Sequence, residues 1–107
     1  MNELPWPVRV DYESGKFADE IKTGVTFARI VISRGCHGAC AFCTTRALYD
    51  DESRRIVRSP LSVVNEMEYL IKEFGVKQIR FSDEVIYEVT EKSFKWLQEL
   101  AALMKEI

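Results

Sequence analysis

Two extended apolar segments, each followed by a segment with helical periodicity, most strongly limit how this chain can fold. The first, TFARIVIS over residues 26–33, is rich in β-branched residues and almost continuously apolar. That pattern is typical of a strand buried on both faces of a parallel sheet. In the second, VKQIRFS, the apolar residues Val76, Ile79 and Phe81 indicate a short strand. Because strands that alternate with helices favour parallel sheets with right-handed crossovers, we expect an α/β fold.

Both helical segments carry start signals. Ser59 can cap the first helix, Pro60 suits its first turn, and Gly75 is placed to end it. Thr90 can cap the second helix, which we expect over residues 91–106. Apolar residues recur on one face of each helix, namely Val63, Met67, Leu70, Ile71 and Phe74, then Phe94, Leu97, Ala101 and Met104. Each helix therefore has a face to bury.

The other segments are predicted to be irregular. Residues 1–25 contain two prolines, two glycines and many charges, so we expect an irregular lead-in with a short strand at residues 8–10. Residues 44–58 mix arginines and acids without a clear period, which favours a solvated loop. The predicted organisation is a lead-in over residues 1–25 and an α/β domain over residues 26–107.

Composition and charge narrow the class of function. Apolar residues make up 47% and charged residues 30% of the 107 residues, as in a soluble domain. The net charge of −2 gives no attraction to nucleic acid or to an anionic membrane. No apolar run approaches the ~20 residues of a membrane span, and the N-terminus lacks the pattern of a secretory signal. We therefore expect a cytoplasmic protein with reduced cysteines.

All three cysteines of the chain lie within eight residues, at Cys36, Cys40 and Cys43, on a glycine-containing loop after the first predicted strand. Thiolates bind zinc and iron–sulfur clusters. A structural zinc takes four ligands, and the fourth would have to be His37 or an acid. Three cysteines at this spacing can instead hold three irons of a [4Fe–4S] cluster and leave the fourth iron open. The spacing favours an open cluster, with a non-catalytic iron–sulfur or zinc module as alternatives.

The position of the loops supports a site at one edge of the sheet. The cysteine loop, residues 34–46, follows the first strand, and the acidic loop, residues 82–87, follows the second. Ligands of parallel α/β sheets collect at the carboxyl ends of the strands. We therefore expect both loops on the same rim.

These motifs together resemble the radical S-adenosylmethionine (SAM) superfamily. Phe42 is the aromatic residue before the last cysteine, as in that family. The segments SRGCHGACAFC and RSPLSVVNEMEYLIKEFGVKQIRFSDE are similar to the cobalamin-binding branch and its relatives, over residues 26–106. The methylthiotransferases of the same superfamily are the alternative.

The resemblance implies a set of cofactors and partners. The three cysteines would hold a [4Fe–4S] cluster, and SAM would chelate the remaining iron. Reductive cleavage of SAM would give a 5′-deoxyadenosyl radical for C–H chemistry, such as cobalamin-type methylation or cyclisation. An electron donor such as flavodoxin or ferredoxin and a small-molecule substrate would take part. Cobalamin, where used, would bind a domain outside this chain.

The resemblance also assigns cofactor contacts to four further residues. Phe42 would contact the adenine of SAM. Ser82, Asp83 and Glu84 fall where many members carry a glycine-glycine-glutamate stretch, and Asp83 or Glu84 would accept a hydrogen bond from the amino group of SAM. His37 stands where relatives often have proline, and would either tune the cluster potential or be a surface histidine.

The length of the chain limits how much of the family's fold it can form. The family's catalytic domain resembles a full or three-quarter TIM barrel, which takes ~200 residues or more, whereas this sequence predicts two βα units. We therefore expect a partial (β/α) TIM-like barrel, an N-terminal fragment of a radical SAM core. Exposed strand edges predict self-association or assembly with the rest of the barrel.

Overall fold

The computed structural model describes residues 1–9, 27–38, 40–48 and 55–107. Its elements, in chain order, are β1 (Phe27–Ile30), β2 (Ser33–Arg34), α1 (Thr45–Leu48), β3 (Ile56–Val57), α2 (Pro60–Phe74), β4 (Gln78–Phe81) and α3 (Glu91–Met104). The described residues form a small α/β unit, as the sequence predicts. The partial barrel stays a prediction, because two parallel strands fit both a barrel and an open sheet.

The main sheet pairs β1 with β4 in parallel, so that Phe27 lies beside Gln78 and Ile30 beside Phe81. This pairing confirms the predicted parallel arrangement. A second, two-stranded sheet pairs β2 with β3 antiparallel. Because α1 and β3 fall within residues 44–58, the prediction of a simple loop there is wrong.

Only one face of β1 is covered by the described residues. Ala28 and Ile30 are buried, whereas Arg29 and Val31 are exposed. The core lies between the sheet and the two long helices, and its buried apolar residues are Ala28, Ile30, Ile32, Val63, Val64, Met67, Leu70, Val76 and Leu100. The prediction of burial on both faces is therefore wrong for the described chain, since both helices pack on the same side.

The helix ends follow the sequence signals. Ser59 caps α2 by accepting a hydrogen bond from the Ser62 amide at 3.3 Å, and Gly75 ends it in a left-handed conformation with φ 63°. Thr90 caps α3 by accepting from the Ser93 amide at 3.1 Å. These caps are confirmed, and α3 ends two residues earlier than predicted. No helix of the described ranges has the length and apolar character to cross a membrane.

A buried ionic network fixes α2 to distant parts of the chain. Glu66 is 1% exposed, and its carboxylate contacts Arg9 at 2.9 Å and Arg58 at 2.5 Å. Arg58 also donates to the Val31 carbonyl at 3.1 Å. The predicted solvated character of residues 44–58 is therefore wrong at Arg58. The predicted strand at residues 8–10 is absent at residues 8 and 9, and residue 10 lies outside the described part.

Candidate metal and cofactor site

The cysteine loop begins with a glycine of positive φ directly after β2. Gly35 is buried and has φ 84°, a left-handed conformation that a residue with a Cβ rarely adopts. The next residue, Cys36, points its thiol back at the loop, because the Gly38 amide lies 3.3 Å from Cys36 Sγ in hydrogen-bonding geometry.

Two of the three sulfur atoms lie close to one glycine. A Cβ placed on Gly38 would stand 3.3 Å from Cys36 Sγ and 3.8 Å from Cys40 Sγ. Glycine therefore leaves room between these two sulfurs. Cys43 follows on a tight turn in which its amide donates to the Cys40 carbonyl at 3.1 Å.

The thiols are accessible, but they do not lie close enough together to form a metal site. Cys40 and Cys43 are exposed and Cys36 is half-buried, and none of the three is in a disulfide. Within the described ranges, no three Cys, His, Asp or Glu side chains come close enough together to hold a metal ion. Phe42, the predicted adenine contact, is 91% exposed on the same loop. The loop thus presents its thiols and its aromatic ring to solvent.

The acidic loop places its neighbouring residues in different environments. The Asp83 carboxylate accepts hydrogen bonds from the Ile32 amide at 3.1 Å, from the Ser33 amide at 2.5 Å and from Ser33 Oγ at 2.7 Å. Ser82 and Glu84 on either side are exposed. Asp83 is thus occupied in joining the end of β4 to the link between β1 and β2, and Glu84 is the exposed acid.

A buried arginine connects the cysteine loop region to the loop after β4. The Arg55 side chain is 3% exposed and lies 3.3 Å from Glu88 Oε1. It also donates to Ser33 Oγ at 3.2 Å and to the Ile86 carbonyl. On the other side, Glu88 Oε1 lies 3.2 Å from His37 Nδ1. His37 of the cysteine loop therefore contacts Glu88, which directly follows the acidic loop, and Arg55 joins Glu88 to the Ile86 carbonyl of that loop.

Sequence reasoning missed Arg55 and Glu88. Arg55 stands in a run of mixed charges, and nothing in that run marks its side chain as buried. The β-branched pair Ile56–Val57 was the available signal, since it indicates a short strand whose neighbours can be held in place. For Glu88 the sequence offers no signal, because its partners are distant in the chain.

A cleft of about 360 Å³ lies on another side of Arg55 and Glu88. Its lining includes the N-terminal caps of both long helices, Ser59 and Thr90, together with Lys92. Trp96 closes part of it and donates from its indole to the Arg58 carbonyl at 2.7 Å.

The donor chemistry of the cysteine loop fits an iron–sulfur cluster. The loop offers three thiols, a glycine that leaves space between two of them and an amide donor to one sulfur. Clusters are held by cysteine thiolates, and their potential depends on hydrogen bonds to sulfur. The loop thus matches a cluster in the type of its ligands and in their accessibility, and it directly follows β2 of the α/β unit.

Comparison with known proteins gives a distant similarity to an enzyme. The chain is 31% identical over 93 residues to a cytidylyl-2-hydroxyethylphosphonate methyltransferase from Streptomyces wedmorensis. The similarity covers 80% of this chain and 17% of that protein. No family model and no solved structure matches the sequence. The similarity to part of a methyltransferase gives weak support to the radical SAM resemblance and to an enzymatic parent protein.

Proposed function

We propose that this chain is the cluster-bearing part of a radical SAM enzyme, and that Cys36, Cys40 and Cys43 hold its [4Fe–4S] cluster. The observation that carries the proposal is the cysteine loop itself. Its thiols are accessible, its Gly38 amide points at Cys36 Sγ, and it contacts the loop after β4 through His37 and Glu88. When bound, the cluster and SAM would supply a radical that abstracts hydrogen from a substrate.

The residues of the chain would divide the work between binding and positioning. Glu84 is the acid that we assign to the amino group of SAM, since a carboxylate is a strong acceptor for an ammonium group and Asp83 is already engaged. Ser82 lies beside it, and Phe42 would cover the adenine from the cysteine loop. Arg55 would hold the two loops at a fixed separation through Ser33 and Glu88.

The proposed chemistry of the parent protein is methyl transfer of the cobalamin-dependent type. The resemblance to the cobalamin-binding branch and the similarity to a methyltransferase both support it. Cobalamin, the substrate pocket and the electron donor would be supplied by parts of the system outside the described residues. Cyclisation is the other reaction class that the branch suggests.

The proposal is tested by anaerobic reconstitution with ferrous iron and sulfide. We expect about four irons per chain and a paramagnetic signal on reduction that shifts when SAM is added, because SAM would bind the open iron. Zinc at one ion per chain, or an iron signal that SAM leaves unchanged, would contradict the catalytic assignment. Zinc at one ion per chain would indicate a structural zinc module. An iron signal that SAM leaves unchanged would indicate a non-catalytic iron–sulfur module.

Gly38→Ala is the variant that tests the geometry of the loop. Its added Cβ would stand 3.3 Å from Cys36 Sγ, so we expect a lower iron content per folded chain. Gly75→Ala, at the end of α2 and away from the cysteines, is the matched control. It should bind as much iron per folded chain as the unsubstituted chain does. Equal loading of both variants would show that the Gly38 position does not matter to the site.

A further inference from the structure

Two arginines lie side by side on the face of the main sheet that the helices leave uncovered. The parallel register pairs Arg29 of β1 directly with Arg80 of β4, and both side chains are exposed. Paired residues of neighbouring strands point to the same face, where like charges repel. Two cations side by side raise the local positive potential, which attracts a negatively charged group.

Neither guanidinium meets a carboxylate within the described ranges. The ion pairs found there use the arginines at 9, 55 and 58 and leave out Arg29 and Arg80. Arg80 makes a long contact of 3.5 Å to the Gln78 side chain. Among the residues that the structure describes, no ion pair neutralises either charge, so both guanidinium groups can bind an anion.

Both guanidinium groups lie near the same aromatic ring, that of Phe27. Arg80 Cζ lies 4.2 Å and Arg29 Cζ 5.9 Å from the centre of the Phe27 ring. Cation–π contacts form within about 6 Å of a ring centre, so the Arg80 contact is well inside this range and the Arg29 contact is at its limit. Both guanidinium groups thus lie within about 6 Å of one ring, and an aromatic ring does not neutralise their charge.

The paired arginines share their face with the residues assigned to the cofactor. Exposure alternates from residue 78 to residue 84, so that Arg80, Ser82 and Glu84 are exposed while Ile79, Phe81 and Asp83 are not. The Ser82 amide continues the pairing with β1 by donating to the Ile30 carbonyl at 3.0 Å, so Ser82 continues the side of the sheet on which Arg80 lies, and exposed Glu84 follows it in the chain. A molecule bound by the arginines would extend along this face towards the rim that carries the cysteines.

We propose that Arg29 and Arg80 form a binding site for a tetrahedral oxyanion, the phosphate or phosphonate group of the substrate. Arginine forks bind such groups through paired, charge-assisted hydrogen bonds. Two forks side by side match a group that has several acceptor oxygens and two negative charges. The assignment of this anion to the substrate rests on the proposed function, whereas the anion site itself does not.

The test is an NMR titration of the chain with inorganic phosphate, methylphosphonate and acetate at constant ionic strength. We expect saturable shifts of the Arg29 and Arg80 side-chain signals and of the β1 and β4 amides with the first two anions. Acetate should bind more weakly, because it is a planar monoanion whose two oxygens can pair with only one guanidinium group. Arg80→Gln should raise the Kd for phosphate about tenfold, which is the loss of one charge-assisted contact.

Two controls separate a specific site from general attraction of anions. Arg34→Gln removes an exposed arginine from β2, and Lys92→Gln removes the lysine of the cleft between the helix caps. Both should leave the Kd for phosphate unchanged. A similar weakening in either control, non-saturating shifts, or shifts confined to the cleft would overturn the site.

Iron loading keeps this test distinct from that of the proposed function. The double variant Arg29→Gln/Arg80→Gln should bind as much iron as the unsubstituted chain, but it should lose phosphate binding. If the unsubstituted chain binds phosphate at these arginines but takes up no cluster, the anion site stands and its assignment to a radical SAM substrate is overturned. If the cluster forms and SAM binds while phosphate does not, the anion site is overturned and the proposed function remains.

Discussion

At the scale of single residues, neighbours in sequence have separate roles because their side chains have different surroundings. Asp83 points to the end of β1 and accepts two backbone amides and a hydroxyl, whereas Glu84 faces solvent. The same division separates Phe81, which packs against the core, from Arg80. One carboxylate thus stabilises the fold, and the next is available for binding.

Replacing Asp83 should therefore lower stability, while replacing Glu84 should not. We expect Asp83→Ala to reduce the free energy of unfolding by about 2 kcal/mol, because two buried amides and a hydroxyl would lose a charged acceptor. Glu84→Gln should change it by less than about 0.5 kcal/mol. Urea unfolding followed by tryptophan fluorescence measures both. Equal effects of the two variants would contradict this assignment of roles.

At the scale of elements, α2 has well-defined ends that set where the following strand begins. Ser59 caps its first turn and Gly75 reverses the chain after its last, so that buried Val76 follows immediately. The Gly75 amide donates to the Ile71 carbonyl at 3.1 Å, which satisfies one of the final carbonyls of the helix. The end of the helix thereby sets where the chain enters β4, which pairs with β1.

Gly75→Ala should lower the free energy of unfolding by about 1 kcal/mol. Nothing lies within 4 Å of the added Cβ, so the cost comes from the left-handed backbone and not from a clash. Gly75→Asn should cost less, because asparagine tolerates this conformation better than alanine does. Thermal or urea unfolding of the three proteins gives the order. Asparagine as destabilising as alanine would point to a lost contact instead of backbone strain.

At the scale of the whole molecule, buried ionic contacts connect parts of the chain that are far apart in sequence. Glu66 on α2 joins Arg9 from the N-terminal segment to Arg58 before the helix, and Arg58 reaches the carbonyl of Val31 after β1. Removing one partner of such a network leaves the others buried without compensation. The network therefore depends on each member.

Glu66→Gln should destabilise the whole chain by about 3 kcal/mol, since two arginines would lose their buried counter-charge. Glu68→Gln is the matched control on the same helix. Glu68 pairs with Lys72 at 2.8 Å, but both side chains are exposed, and such pairs contribute about 0.5 kcal/mol or less. Denaturant unfolding should separate the two variants clearly. A loss at Glu66 as small as that at Glu68 would mean that solvent compensates the arginines.

Local chemistry determined much of what the sequence predicted. Helix caps at Ser59, Thr90 and Gly75 follow from hydrogen bonds and backbone conformation within a few residues, so the sequence alone was sufficient. Strand β4 and the parallel order of the sheet follow from short-range hydrophobic pattern and from the alternation of strands and helices. The cysteine spacing is equally local, and it carries the proposed function.

Contacts over long sequence distances were decided only in three dimensions. The sequence placed Arg58 in a solvated loop, yet its partner Glu66 and the Val31 carbonyl bury it. It left Asp83 and Glu84 equivalent, and the amides of Ile32 and Ser33 separate them. Charge tells only that a residue needs a partner or water, and the fold of distant segments decides which one it receives.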